Sequence, residues 1–149
     1  MKYIPIIILS LIGWHSSASG QVAVIAHKSA PMDSIEKIKL LDFYTGDIRV
    51  WDDDRPVVVF DLKPRGDVRN AFYKFLGKSS SRMKSIWMKK MLSGESDPPE
   101  SMQSEEDILK KVATTPGAIG FVSQSIVNKD VKTVNNDVKT LLVIAKVTE

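Results

Sequence analysis

Residues 57–77 read Val-Val-Val-Phe-Asp-Leu-Lys-Pro-Arg-Gly-Asp-Val-Arg-Asn-Ala-Phe-Tyr-Lys-Phe-Leu-Gly, and this stretch decides the fold class. Its first part, continuing from Pro56 to Phe60, is a short β-branched run of the kind that forms a buried strand. Lys63-Pro64-Arg65-Gly66-Asp67 is a loop that opens a helix. In that helix Val68, Ala71, Phe72, Phe75 and Leu76 recur at i, i+3, i+4, i+7 and i+8, the stripe of one buried face. Gly77 closes it. The spacing predicts that Val68, Phe72 and Phe75 pack on the strand at Val57–Val59.

The same alternation extends outward in both directions. Gln21–Ala26 (QVAVIA) reads as a buried strand, followed by a loop that Pro31 terminates. Asp33 as N-cap with Glu36 three residues on predicts a helix start. Ile35, Ile38, Leu41 and Tyr44 then follow at helical spacing, and Gly46 ends the segment. Asp52-Asp53-Asp54 is a polar turn. A further helix is expected over Ser80–Leu92 with Met83, Trp87 and Met91 on one face, and a loop over Gly94–Ser101. A fourth helix spans Ser104–Thr114, with Ile108, Leu109, Val112 and Ala113 inward. Ala118–Val122 forms a strand after the Pro116-Gly117 turn. Val131–Val134 and Val138–Lys146 form two more, joined at Asn135-Asn136-Asp137. The order β-α-β-α-α-α-β-β-β predicts a single layered α/β lobe with a mostly parallel sheet.

The chain has 149 residues, 43% hydrophobic and 26% charged, with a formal charge of +3. Those are the proportions of one globular domain, and the charge is too mild to drive nucleic-acid binding. With no cysteine there is neither a disulfide framework nor a thiolate metal site. The first twenty residues stand apart. Met1-Lys2 is a positive start, Tyr3–Trp14 is almost unbroken apolar sequence, and His15–Gly20 is small and polar. This is the secretory signal pattern, and its roughly twelve apolar residues fall short of the about 20 that span a bilayer. Ala18 and Gly20 place cleavage before Gln21. Residues 1–20 are therefore read as a signal peptide and 21–149 as the working domain, periplasmic or secreted, with no membrane attachment after cleavage.

At this point several stretches carry a resemblance: VAVIAHKSAP (22–31), LLDFYTGDIRVWDD (40–53), VVVFDLKPRGDVRNAFYKFLG (57–77), IWMKKMLSGESDPPE (86–100) and TTPGAIGFV (114–122). In this order they resemble the phosphate-type substrate-binding proteins of ABC importers, members of the type 2 periplasmic binding superfamily. The resemblance implies a fold in which two lobes close on an anion, and the stretches here correspond to the second lobe. The Gly- and Thr-rich loop by which the first lobe grips phosphate has no counterpart before Val22. At the loop-to-helix junction the family usually carries Ser-Gly-Thr. This chain has Arg65-Gly66-Asp67 there, which removes both hydroxyls.

That junction is the candidate site. A helix start offers unpaired N–H groups and a partial positive charge, suited to phosphate. Gly66 permits close backbone approach beside Val68, and Arg65 and Arg69 add charged donors. Against this, Asp67 can cap its own helix and fill the site with its own carboxylate. Two unit charges about 5 Å apart at an effective dielectric of about 20 repel by roughly 3 kcal/mol. A dianion beside Asp67 therefore needs a shared proton, which monohydrogen phosphate supplies and sulfate does not. His27, Lys28 and Ser29 follow the first strand and are read either as a solvated loop or as facing the same crevice, since ligands gather at strand carboxyl ends.

Other features point away from chemistry. Asp52–Asp54 lacks the alternating spacing and glycine of a calcium loop. Trp51 and Trp87 are expected to pack in or near the core. Arg82, Lys84, Lys89 and Lys90 read as a solvated basic face. No nucleophile elbow, metal cluster, Walker loop or dinucleotide fingerprint is present, so no enzyme activity, metal or cofactor is expected. The leading expectation is an exported, non-enzymatic protein that binds inorganic phosphate or a similar anion weakly. The alternative is an interaction module whose lobe has lost its ligand and binds an envelope protein or a second copy. Intact mass of the protein recovered from the periplasm should correspond to a chain beginning at Gln21. Retention of Met1–Gly20 in the soluble fraction would overturn the signal assignment.

Overall fold

The structure, a computed structural model, describes residues 20–130, 132 and 136–145. The signal segment up to Ser19 lies outside the described residues. So does all but Lys132 of the strand expected over Val131–Val134, and the expected extension of the last strand to Lys146.

Five strands form one sheet in the order β3-β2-β4-β1-β5. They are β1 (Val22–His27), β2 (Val58–Leu62), β3 (Glu100–Met102), β4 (Ala118–Ser123) and β5 (Val138–Ile144). Five helices connect them: α1 (Lys37–Thr45), α2 (Asp67–Leu76), α3 (Ser80–Leu92), α4 (Glu105–Thr114) and α5 (Gln124–Lys129). The α/β lobe expected from the sequence is present, and its sheet is mixed. β2 pairs parallel with both β3 and β4, whereas β1 runs antiparallel between β4 and β5. Four strands therefore share one direction and β1 opposes them. Every residue of β1 is buried, as its unbroken apolar run requires of a strand covered on both faces.

Where the structure departs from expectation, the signal was short or local. β3 lies in the stretch expected to be a loop. It has three residues, of which only Met102 is buried, so it shows no periodicity to read. It is held by its pairing with β2 and by the Lys63 N–H donating to the Met102 carbonyl at 3.0 Å. α5, six residues long, also went without a signal. Asn136 and Asp137, expected in a turn, are helical. Asp33 is not a helix cap: α1 starts after Glu36 with no side-chain cap, and Asp33 pairs with Lys139 at 3.1 Å. The buried face of α1 is Leu40, Phe43 and Tyr44, leaving Ile38 72% exposed. In α3, Met83 and Lys90 are the buried residues while Met91 is exposed.

The core is centred on four aromatic rings. Tyr44 of α1, Phe72 and Tyr73 of α2, and Phe121 of β4 lie within 6.4 Å of one another by ring centroids. Phe72 stacks on Phe121 at 3.9 Å, and α2 seats chiefly on β4 and β1, where the spacing placed it on Val57–Val59. The stripe is rotated accordingly: Arg69, Phe72, Tyr73 and Leu76 are buried, and Val68 and Phe75 are half-buried. The Tyr44 hydroxyl donates to the Phe60 carbonyl at 2.8 Å, which satisfies the one polar atom that the ring carries inward. On the other side of β4, a Cβ at Gly120 would come within 2.7 Å of Ile108 Cγ2, so glycine there lets α4 close onto the sheet.

Phe72→Ala should cost about 3–5 kcal/mol in urea unfolding, as expected for truncating a fully buried aromatic. Ile38→Ala should stay within about 0.5 kcal/mol, since it removes exposed surface. The reverse ranking would show that the phases of α1 and α2 are wrong.

Candidate functional site: the start of helix α2

β2 and β3 end side by side, and each leads through a short loop into a helix start. Residues 63–66 join β2 to α2, and Gln103-Ser104 joins β3 to α4. Between them lies a cleft of about 440 Å³, walled by Leu62–Arg69 on one side and Gln103–Glu106 on the other. Ligand crevices of open α/β sheets lie at such strand carboxyl ends.

The backbone of the first loop is unusual. Arg65 adopts φ 83°, a left-handed conformation uncommon for a residue with a Cβ. Gly66 follows at φ 150°, ψ 149°, a region essentially reserved for glycine. A Cβ at Gly66 would meet no atom within 4 Å, so the requirement for glycine is conformational and not steric. Gly66 is the N-cap of α2, and no side chain caps the helix. The capping role considered for Asp67 is thus not realised. Asp67 is the first helical residue and is exposed, and the first-turn N–H groups around Asp67 and Val68 have no side-chain acceptor. By contrast, α4 has its own cap: Ser104 Oγ accepts from the Asp107 N–H at 3.1 Å.

Arg69, expected to reach an anion, is turned inward. It is 8% exposed and sits over the Tyr73 ring with its guanidinium carbon 4.6 Å from the centroid. Its Nη1 donates to Ser80 Oγ at 2.9 Å and its Nη2 to Asp61 Oδ2 at 3.4 Å. Tyr73 donates to the same carboxylate oxygen at 2.7 Å, and the Leu62 N–H donates to Oδ1 at 2.8 Å. Burial pushes the Asp61 carboxyl above its ordinary range, against the opposing pull of the Tyr73 hydroxyl and Arg69. Tyr73 is pushed up in turn, by burial first and then by the Asp61 charge. A carboxylate carried into the interior on β2 needs a cation, and Arg69 is the one within reach.

The charged groups left lining the cleft, besides the withdrawn Arg69, are Lys63 and Arg65 on the positive side and Asp67, Glu105 and Glu106 on the negative. Glu105 is tethered, with its Oε1 accepting from the Ser123 N–H at 2.5 Å. A second, more apolar groove of about 480 Å³ lies along α2, lined by Ala71, Phe75, Ile144 and Ala145 with Asp67, Asn70 and Lys74.

His27, Lys28 and Ser29 do not join this site. β1 runs against the other strands, so its carboxyl end lies at the opposite edge of the sheet, where His27 pairs with Val138 and Ala26 with Ile119. There His27 Nδ1 accepts from the Ser29 N–H (3.1 Å) and contacts Ser29 Oγ (2.7 Å), and that Oγ accepts from the Gly117 N–H at 3.2 Å. Burial, then the neighbouring Lys28, holds the His27 pKa below its usual value. Lys28 itself pairs with Asp137. The basic face of α3 is also incomplete, because Lys90 is folded inward onto Asp47 at 2.6 Å. Trp51 is in the core and Trp87 is half-buried, as expected. Among the described residues, no group of three or more His, Asp or Glu side chains is arranged to hold a metal ion. No described helix is long and apolar enough to cross a membrane.

No family model and no curated sequence matches the chain. Solved structures do. An ABC-type phosphate transport receptor from Vibrio cholerae matches with a TM-score of 0.60 at 17% identity, over 82% of this chain and 45% of its own. A phosphate ABC transporter substrate-binding protein with bound phosphate, from Clostridium perfringens, matches with a TM-score of 0.60 at 20% identity over 87% and 58%. PstS from Borrelia burgdorferi matches with a TM-score of 0.63 at 12% identity over 82% and 46%. The chain thus has the fold of part of these binding proteins and spans about half their length.

Arg69→Met should cost about 3–5 kcal/mol at pH 7, because it leaves the Asp61 carboxylate buried without its cation. The sign with pH follows from a folded-state pKa raised above the unfolded value. The variant is destabilised once pH rises through that raised pKa and recovers as pH falls below it and Asp61 takes up a proton. Urea unfolding at pH 7 and pH 4 checks this, and a loss that is larger at pH 4 would contradict it.

Proposed function

We propose that this chain is an exported, non-enzymatic binding protein. In this reading residues 1–20 are removed, and residues 21–149 carry a weak oxyanion site, for phosphate or a similar anion, at the start of α2. The observation that carries it is the uncapped first turn of α2, opening on a cleft that also receives Lys63 and Arg65. A helix start with free N–H groups and a flanking arginine is an anion cradle. The fold shared with structures described as phosphate receptors supports the same ligand class.

Weakness follows from the charges present. Arg69 is occupied by Asp61, and three carboxylates border the cleft against two exposed cations. A charged hydrogen bond contributes about 1.5–3 kcal/mol before ordering costs, so a few of them give a dissociation constant of roughly 0.1–10 mM. Calorimetry with phosphate should return a value in that range. Arg65→Ala should weaken binding about tenfold, the loss of one charged bond. Asp67→Asn should narrow the preference for phosphate over sulfate by removing the acceptor of the shared proton. Micromolar affinity insensitive to Arg65→Ala would place the site elsewhere.

A second reading has its own observation. Met88, Met91 and Leu92 stand exposed at i, i+3 and i+4 on α3, with Leu92 83% exposed. Three large apolar groups on one helix face suit contact with an envelope protein or a second copy. An absence of heat at about 20 mM phosphate, above the expected range, together with a dimer abolished by Leu92→Lys, would favour this interaction module.

A further inference from the structure

We propose that Asp61 sets the anion affinity of the α2 cleft by holding the Arg69 side chain back from it; the inference rests on the reading that this cleft binds oxyanions. Arg69 forms part of the cleft wall, yet its charge is directed inward. Its hold there is imperfect. The bond to Asp61 is 3.4 Å, longer than a good charge-assisted hydrogen bond, and Nε is buried with no acceptor. What keeps the guanidinium inward is the Asp61 charge, which Arg69 shares with the shorter bond from Tyr73. Take away that charge and the interior offers Arg69 only neutral partners, chiefly Ser80 Oγ and the Tyr73 ring. The cleft, bordered by Asp67, Glu105 and Glu106, then becomes the better place for a cation.

Asparagine at position 61 matches the aspartate in shape. Its amide oxygen can still accept from one of the two neighbouring donors, but it carries no charge. Asp61→Asn should therefore tighten phosphate binding about 10- to 100-fold, the gain from one charged hydrogen bond. Asp61→Ser, which removes the same charge with a smaller side chain, should tighten binding in the same direction. Asp61→Asn combined with Arg69→Met should return to wild-type affinity. All are titrated with inorganic phosphate by calorimetry after a thermal melt confirms folding.

Unchanged affinity in folded Asp61→Asn or Asp61→Ser overturns the proposal, and so does a gain that persists when Arg69→Met is added, which would mean that the lost carboxylate charge and not Arg69 supplies it. The Asp61→Ser test stands even if Asp61→Asn fails to fold. If wild type binds through Arg65 but Asp61→Asn gains nothing, only this inference falls. If wild type does not bind, the proposed function falls. Binding that then appears in Asp61→Asn and vanishes with Arg69→Met still supports the gate, and its absence overturns that as well.

Discussion

Asp61 is a carboxylate on a strand whose other residues are apolar, and the carboxyl edge of the sheet is organised around its charge. An ion carried into a protein interior loses about several kcal/mol of hydration and must recover it from partners. Here the partners are the Leu62 N–H, the Tyr73 hydroxyl and the Arg69 guanidinium. Two of the three lie on α2, on the face that also carries Phe72 and Leu76. The rotation of α2 about its axis is therefore fixed jointly by the stacking of Phe72 on Phe121 and by the demand of one buried charge. With that rotation set, the first turn of α2 is presented at the cleft with its N–H groups open and its arginine withdrawn.

On the proposed reading, the consequence for binding is an incomplete anion site. Geometry favours an oxyanion, since Arg65 and Gly66 adopt the backbone conformations that leave the helix start uncapped. Electrostatics works against it, since the nearest buried cation is neutralised and carboxylates from both α2 and α4 face the same space. Removing one carboxylate at the rim and removing the one beneath it would act by different routes. The first reduces repulsion, and the second releases a donor.

Much of this was legible from residues alone. The all-apolar run of β1, the strand–loop–helix of residues 57–77 and the Pro116-Gly117 turn each carry a periodicity or a breaker strong enough to place an element. The phases of α1 and α2 were not legible, because the stripes contain one apolar residue too many. Ile38 and Phe75 fit the spacing as well as Phe43 and Tyr73 do, and only the sheet decides which face turns inward. The misplacement of His27 follows from strand direction. A strand that runs against its neighbours presents its carboxyl end at the opposite edge, and sequence order does not encode that. Asp61 did leave a signal: a lone acid in an otherwise apolar strand must be paired, and Arg69 follows one loop and less than one helical turn later. Glu105 and Glu106 left none, because β3 is too short to reveal that α4 starts beside α2.

On the proposed reading, an oxyanion sits on the first turn of α2 while Arg69 stays with Asp61. A crystal structure at saturating phosphate tests it most directly. Phosphate is expected against the N–H groups of Asp67 and Val68, with the Arg65 side chain on it and the Arg69 guanidinium still bonded to Asp61 and Ser80. Phosphate gripped by Arg69, with Asp61 left behind, would contradict the account, as would phosphate at the opposite edge beside His27.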